Sequence, residues 1–198
     1  TRTRIWANRF TPNTGWDTAR LIESSEAGVS ARDPQVAMDP SGNAIAVWRQ
    51  IQGASLDIWA NRFTPSTGWG TATLIEAGVG SAFTPQVTMD PNGNGTAVWR
   101  QSGDIWANRF TPSTGWGTAT LIETEVGGGF EPQVAVDASG NATTVWRQSD
   151  GTRENIWVNR YSAGGGWGTA VVVGGSDAGD AFNPQIAMNA SGNAVAVW

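Results

Sequence analysis

Three residue types are missing from the 198-residue sequence: cysteine, histidine and lysine. Without cysteine the chain can form neither disulfides nor thiolate metal sites, and without histidine it offers no imidazole ligand or base. Without lysine it has no Schiff-base nucleophile. These absences exclude Cys/His nucleophile systems and thiolate or imidazole metal sites, which narrows the possible enzymes sharply. We predict no catalytic residue, no metal site and no cofactor.

Positive charge is also scarce. All twelve basic residues are arginine, and seventeen acidic residues bring the net charge to −5 and the isoelectric point to about 4.6. Because binding to a phosphate backbone needs a dense cationic surface, we predict no nucleic-acid partner. No apolar run approaches the roughly 20 residues of a spanning helix, so we also predict no membrane insertion.

Tryptophan and glycine are abundant, and the tryptophans repeat. The motif Ile-Trp-Ala-Asn-Arg-Phe begins at Ile5, Ile58 and Ile105, and it returns as Ile-Trp-Val-Asn-Arg-Tyr at Ile156. The twelve tryptophans fall at three positions of this repeat, namely Trp6, Trp59, Trp106 and Trp157, then Trp16, Trp69, Trp116 and Trp167, then Trp48, Trp99, Trp146 and Trp198. The chain is therefore four tandem copies of a unit of about 50 residues.

Each copy contains four short segments with the apolar pattern of β-strands. In one copy these are residues 35–38, 44–49, 58–63 and 69–75. The turns between them carry Asp-Pro-Ser-Gly-Asn from Asp39 and Thr-Pro-Ser-Thr-Gly from Thr64, both typical of tight turns. Four antiparallel strands per copy without helical periodicity are typical of the blades of a β-propeller.

The fold prediction is an all-β, single-domain β-propeller over residues 1–198, with four four-stranded antiparallel blades. The chain begins with the third and fourth strands of a blade and finishes with the first and second. We therefore expect the N- and C-terminal strands to complete the last blade, which would remove exposed sheet edges. A larger ring built from two chains, which implies a homodimer, and a fragment of a longer array are open alternatives.

The ends of the chain also bear on localisation. No signal peptide is visible, the sequence starts inside a repeat, and it stops at Trp198 where the other copies continue with Arg-Gln. We expect that flanking segments have been left out. Zero cysteine is compatible with an oxidising compartment, and we predict a secreted or cell-surface protein.

The segment from Pro34 to Trp48 resembles the inner hairpin of NHL-type and related bacterial propeller repeats, in which a Val-Asp-x-x-Gly-Asn turn joins the first two strands. The paired Gly-Trp and Val-Trp positions resemble those of Trp-rich propeller lectins, although no sugar-site motif of that family is present. The Ser-x-Asp-x-Gly-x-Thr-Trp box of sialidase-type propellers is similar to the Asp turn, but this sequence lacks its Thr-Trp part. The resemblance implies a fold more than a function.

The candidate ligand site is on the face where the loops after the second and fourth strands emerge. An aromatic ring beside Arg, Gln and Glu is suited to sugars, because the ring contacts C–H groups and the polar groups bind hydroxyls. The candidate residues are Trp48, Arg49, Gln50, Glu76, Trp99, Arg100, Gln101, Glu123, Trp146, Arg147 and Gln148. The structural alternative is that the tryptophans wedge between blades while Arg49 pairs with a carboxylate such as Glu76.

Two other repeated features have structural interpretations. The Asn-Arg pairs, such as Asn61-Arg62, lie on the third strand, where a buried hydrogen-bonding role is favoured over a ligand role. The aspartates at Asp39, Asp90 and Asp137 offer one carboxylate each, so turn capping is favoured over calcium binding.

From these features we predict a non-catalytic binding module for carbohydrate, in which repeated weak sites gain avidity on a multivalent surface. Its partner would be a glycan or a protein surface. The alternatives are a structural or protein-interaction scaffold and, less favoured, a glycoside-acting enzyme. The enzyme is disfavoured because nearly every polar residue recurs in several copies, whereas active sites are asymmetric.

Overall fold

A computed structural model of the chain describes residues 2–24, 29–76, 78, 80–123, 127–174 and 179–198. All regular structure in these residues is antiparallel β-sheet, and they contain no helix. The all-β prediction is confirmed. Within the same residues, no helix is present that could cross a membrane.

The N-terminal segment forms two small sheets of short strands. Strand β1 (Trp6–Ala7) pairs with β4 (Arg20–Leu21), and β2 (Phe10–Thr11) pairs with β3 (Gly15–Trp16). These strands correspond to the third and fourth strand positions of the repeat, so this segment is the outer half of a blade.

Three complete sheets follow, and all have the same strand order. The first consists of β5 (Ala31–Met38), β6 (Ala44–Gln52), β7 (Ser55–Thr64), β8 (Gly68–Trp69) and β9 (Thr73–Leu74). The second consists of β10 (Ala82–Met89), β11 (Gly95–Gln101), β12 (Asp104–Thr111), β13 (Gly115–Trp116) and β14 (Thr120–Leu121). The third consists of β15 (Gly129–Val136), β16 (Ala142–Ser149), β17 (Glu154–Ser162), β18 (Gly166–Trp167) and β19 (Val171–Val172).

The C-terminal segment forms a hairpin of β20 (Gln185–Met188) and β21 (Ala194–Val197), the inner half of a blade. The inner strands lie in a row, with β5 beside β10, β10 beside β15, and β15 beside β20. The sheets therefore stack face to face in sequence order.

The fourth strand position differs from the prediction of one continuous strand. Strands β8 and β9 both pair with β7, and three residues separate them. The interruption accommodates Asn61, whose side-chain amide donates to the carbonyl of Gly70 at 3.1 Å and to the carbonyl of Ile22 in the neighbouring blade at 2.9 Å. The predicted buried role of this asparagine is confirmed, and Asn108 and Asn159 repeat it.

The Asp turns have the predicted capping geometry. The Asp39 carboxylate accepts from the backbone N–H of Asn43 at 2.9 Å and from its side-chain amide at 2.7 Å. Gly42 has a φ of 82°, a conformation that glycine adopts without strain. Asp90 and Asp137 bond in the same way to Asn94 and Asn141.

The core lies between successive sheets rather than inside any one of them. Ile45 and Ile58 of the first complete sheet share a buried cluster with Met89 and Trp99 of the second. Burial on both faces explains why strands such as β6 are apolar at consecutive positions.

The predicted pairing of the terminal strands within one chain is not observed. Strands β1 to β4 and the β20–β21 hairpin belong to separate sheets. Each half-blade is held by its own neighbour, because Ile5 and Ile22 pack against Trp48 and Trp59, whereas Ile186 and Ala196 pack at the other end of the row. The two half-blades therefore cover opposite ends of the stack.

Candidate functional site

The candidate site lies at the end of the sheets where the β6–β7 hairpin turns. Gln50 of β6 is opposite Asp57 of β7, and the backbone N–H of Ile75, after β9, donates to the carbonyl of Ile58 at 3.0 Å. The segments after the second and fourth strand positions thus meet on one face, as the sequence predicts.

The three tryptophans of the predicted site are core residues. The side chains of Trp48, Trp99 and Trp146 are 0% exposed. Their indole N–H groups donate to the side-chain oxygens of Gln50, Gln101 and Gln148 at 3.1, 3.0 and 2.6 Å. The prediction that these rings stack on a sugar is wrong, because neither ring face is open to a ligand.

The three glutamines are buried as well. The Gln50 amide donates to Ser24 Oγ at 2.6 Å, and the Gln148 amide donates to Glu123 Oε1 at 3.3 Å. Gln101 lies against the carboxyl of Glu76. Each glutamine therefore links a core tryptophan to the segment that follows the preceding blade's fourth strand, and none is placed to contact a ligand directly.

The arginines remain at the face and stack on phenylalanines. The Arg49 guanidinium pairs with Asp33 at 2.5 Å, not with Glu76 as the structural alternative expected, and lies 5.5 Å from the Phe83 ring. Arg100 lies 4.2 Å from the Phe130 ring. Arg147 lies 4.6 Å from Phe130 and 5.2 Å from Phe182, and contacts Glu131 and Glu154 at 3.5 Å each.

The glutamate position of the repeat is where the copies differ most in chemistry. In each copy, the residue that precedes the isoleucine of the Ile-Trp motif lies opposite the residue that follows the fourth strand position. These pairs are Arg4 with Glu23, Asp57 with Glu76, Asp104 with Glu123, and Asn155 with Gly174. One copy thus pairs a cation with a carboxylate, two pair carboxylates, and one has no charge.

In the first copy the glutamate is neutralised. Glu23 is buried, its Oε1 lies 3.3 Å from the Arg4 guanidinium, and its Oε2 accepts from the backbone N–H of Ile5 at 2.9 Å. In the third copy Glu123 is buried and bonded to Gln148. These two glutamates are structural acceptors.

In the second copy two carboxyl groups share one site. Burial, the negative charge of Asp57 and a hydrogen bond with its carboxyl raise the pKa of Glu76 from 4.5 to about 7, against the opposing effect of the Gln101 amide. Glu76 Oε2 has no hydrogen-bond partner in the described part of the chain. A carboxyl that carries a proton at neutral pH can act as a general acid.

A cleft of about 290 Å³ opens at the turn of the β6–β7 hairpin, and neither Asp57 nor Glu76 lines it. Its wall includes Ser55 and Leu56, which directly precede Asp57, and its other lining residues include Arg32, Arg49 and Ser81. This volume is at the lower end of the roughly 300–1,000 Å³ typical of small-molecule sites. The described residues contain no cluster of three acidic side chains that could hold a metal ion.

Asp57 is the residue that the sequence analysis missed. The signal was available, because position 57 is aspartate where the first copy has Arg4 and the fourth has Asn155. The third copy repeats the aspartate as Asp104, but the position differs in the first and fourth copies, so features shared by all copies do not point to it.

Comparison with solved structures identifies the architecture. A structure of unknown function from Dyadobacter fermentans matches with a TM-score of 0.59 at 12% identity, over 93% of this chain and 61% of that one. An endo-arabinase from Bacteroides thetaiotaomicron matches with a TM-score of 0.53 at 13% identity, over 99% of this chain and 88% of that one. The chain has a β-propeller fold.

A Hadza microbial sialidase also matches, with a TM-score of 0.51 at 14% identity, over 69% of this chain and 36% of the sialidase. This chain thus spans under two thirds of the Dyadobacter structure and about a third of the sialidase. No protein-family model matches the sequence, and no curated protein matches it.

These comparisons contradict the prediction of a non-catalytic binding module and its premise that a repeated propeller is not an enzyme. Solved structures that share the fold include an endo-arabinase and a sialidase. The premise fails because the backbone can repeat while a single position, such as residue 57, differs in chemistry between copies. The prediction of a non-catalytic binding module is therefore wrong.

Proposed function

We propose that this propeller acts on glycosides, with Glu76 as the general acid of a hydrolytic reaction. The observation that carries the proposal is the Asp57–Glu76 carboxyl pair, in which the pKa of Glu76 is raised to about 7, at the end of the sheets where a cleft opens at the β6–β7 turn. Glycosidic bond cleavage depends on carboxyl groups, one of which must hold a proton that it can donate.

In this reaction Glu76 donates its proton to the glycosidic oxygen as the bond from that oxygen to the anomeric carbon breaks. Water supplies the hydroxyl group to the anomeric carbon and returns a proton to the carboxylate. Asp57 is a positioning residue, because it acts by keeping the proton on Glu76. Arg32 and Arg49 line the cleft, where guanidinium groups can bind sugar hydroxyls or a carboxylate.

The fold supports the same conclusion. The endo-arabinase and the sialidase named above are glycoside-acting proteins on this architecture. At 12–14% identity the likeness concerns the fold, so the site itself rests on the residues of this chain.

The test is hydrolysis of a panel of aryl and alkyl glycosides, including arabinofuranosides and sialosides, by the wild-type chain and Glu76→Gln. We expect the substitution to lower kcat by about 10²- to 10⁴-fold, as for loss of a general acid. The loss should be larger for alkyl than for nitrophenyl glycosides, because an acidic leaving group needs less protonation.

The matched control is Glu23→Gln, which changes the same repeat position where Arg4 already neutralises the carboxylate. Its activity should stay within about twofold of wild type if it folds, since it lies in the neighbouring half-blade. Equal activity of wild type and Glu76→Gln, or no hydrolysis of any substrate by wild type, would overturn the proposal.

A further inference from the structure

Arginine and phenylalanine side chains alternate in a row across the face that contains the candidate site. The Arg49 guanidinium lies 5.5 Å from the ring centre of Phe83 in the next sheet, and Phe83 is opposite Arg100 in the pairing of β10 with β11. The Arg100 guanidinium lies 4.2 Å from the ring centre of Phe130 in the third complete sheet, and Phe130 is opposite Arg147. The row therefore runs without a break from the first complete sheet to the third.

Two arginines of the row hold a carboxylate of their own sheet. Asp33 pairs with Arg49, and Glu131 pairs with Arg147. Both acids occupy the same repeat position, directly before the proline of the first strand. At this position the first strand bulges, with a register shift next to each acid. The repeat thus provides a place beside each arginine that a carboxylate can fill.

The second complete sheet has Thr84 at this position, and its Arg100 forms no ion pair with any described residue. Thr84 has a φ of 49°, close to the 54° of Asp33 and the 55° of Glu131. A β-branched residue is strained in this conformation, whereas aspartate and asparagine adopt it more readily. Backbone strain of this kind is retained mainly at functional sites. Threonine here leaves the half-buried cation beside it without a carboxylate.

A second cation without a carboxylate lies at the start of the row. Arg32 is opposite Arg49 in the pairing of β5 with β6, where the other two complete sheets have a phenylalanine opposite the arginine. Like charges directly opposite each other are destabilising, and Asp33 balances one of the two. Arg32 is exposed and has no ion pair within the described ranges. Both arginines line the cleft at the β6–β7 turn.

We infer that this row binds an acidic glycan chain with repeated carboxylates, and that Arg100 and Arg32 each hold one of them. At Arg100 the ligand carboxylate takes the place that Asp33 and Glu131 fill beside the equivalent arginines. A guanidinium binds a carboxylate through two parallel hydrogen bonds. Two such cations along one row favour a chain with several charges over a single sugar, because the second contact is intramolecular.

The row adjoins the proposed general acid. Arg100 directly precedes Gln101, which lies against the carboxyl of Glu76. The inference rests on the proposed function, because it names the substrate class of that same site as uronate-containing glycans. Binding can be measured apart from cleavage, so the two proposals are tested separately.

The test is binding of trigalacturonate, measured by isothermal titration calorimetry on the Glu76→Gln chain so that the ligand is not consumed. We expect saturable binding that weakens as salt is added, and no binding of neutral galactotriose. The chain as a whole carries a net charge of −5, so unspecific attraction of a polyanion is not expected to give this result.

Thr84→Asp in the same background supplies the carboxylate that the second sheet lacks. The dissociation constant for trigalacturonate should rise at least about tenfold, as for loss of a hydrogen-bonded ion pair, while Tm stays equal or rises because strain is relieved. Arg100→Gln should weaken binding to a similar extent. Thr84→Asn is the matched control, and its affinity should stay within about twofold, because asparagine relieves the same strain without adding charge.

The inference would be overturned by equal affinities of Thr84→Asp and Thr84→Asn, by equal binding of the acidic and neutral trisaccharides, or by no binding of trigalacturonate. Binding by these criteria without cleavage by the wild-type chain would support the inference and count against the proposed hydrolysis. Cleavage of neutral glycosides without binding of trigalacturonate would do the reverse.

Discussion

Glu76 and Glu23 occupy the same position in two copies of the repeat. Glu23 pairs with Arg4, whereas Glu76 lies beside a second carboxyl group, that of Asp57. The backbone around the two glutamates is equivalent, since Ile22 and Ile75 bond to Ile5 and Ile58 in the same way. Burial is the largest cause of the raised pKa of Glu76, and the carboxyl of Asp57, at the position where the first copy has Arg4, raises it as well. The third copy repeats the aspartate as Asp104, while its Glu123 is bonded to Gln148.

This site should make the stability of the chain depend on pH. The folded chain holds the Glu76 proton up to a pKa of about 7, whereas the ordinary pKa of a glutamate is 4.5. Between these values the folded state binds more protons, so the free energy of unfolding contributed by Glu76 falls as pH rises. Below pH 4.5 the contribution is fully present, and above 7 it is lost.

In Glu76→Gln this decline should be absent. One pKa unit corresponds to about 1.4 kcal/mol. Because Glu76 is partly exposed, solvent screening should reduce its contribution to the free energy of unfolding to on the order of 1 kcal/mol. This contribution corresponds to about 2–4 °C in Tm. Denaturant unfolding of both proteins at pH 5 and pH 8 measures the difference. Parallel pH dependences would show that Glu76 titrates normally.

Residue chemistry was the least predictable part of the candidate site. The sequence placed Glu76 and Gln101 on the correct face, but it could not show that the Trp48 ring is enclosed by the preceding half-blade. Ring exposure depends on how closely two sheets stack, which no residue pattern within one copy encodes.

At the scale of the elements, side chains in the sheets connect one blade to the next. The Asn108 amide donates to the carbonyl of Ile75 in the preceding blade at 2.7 Å and to that of Gly117 in its own blade at 3.1 Å. Because Asn108 is buried, water cannot replace these bonds. Each such asparagine joins two sheets at a point where no backbone strand pairing connects them.

Asn108→Ala should lower the free energy of unfolding by about 2–3 kcal/mol, because it removes two hydrogen bonds and leaves the buried carbonyl of Ile75 unpaired. The control is Asn92→Ala in the exposed turn after β10, which should change stability by less than about 0.5 kcal/mol. Chemical denaturation measures both variants. Similar effects of the two substitutions would contradict the bridging role.

The strands and turns of the repeat were predictable from apolar alternation and from the Asp-x-x-Gly-Asn turns. The split between β8 and β9 was not, because it arises from the Asn61 side chain reaching Gly70 and Ile22. The residue pattern along one strand does not show where a side chain of the neighbouring strand interrupts it.

For the whole molecule, repetition indicates the architecture and says little about chemistry. The three repeated tryptophan positions predicted stacked blades. The structure confirms this, because Trp48, Trp99 and Trp146 are buried in the cores between successive sheets. The same repetition led to the wrong expectation of several equivalent ligand sites. It also suggested closure within one chain, whereas the half-blades lie at opposite ends of the stack.

The most direct test of the account is the pKa of Glu76 measured by NMR of ¹³C-labelled side-chain carboxyls, with the resonance assigned from Glu76→Gln. We predict titration near pH 7 in the wild-type chain, and a lower pKa in Asp57→Asn, because that variant removes the neighbouring charge. A wild-type Glu76 that titrates near 4.5 would mean that no proton is held at neutral pH, and the proposed general acid would be wrong.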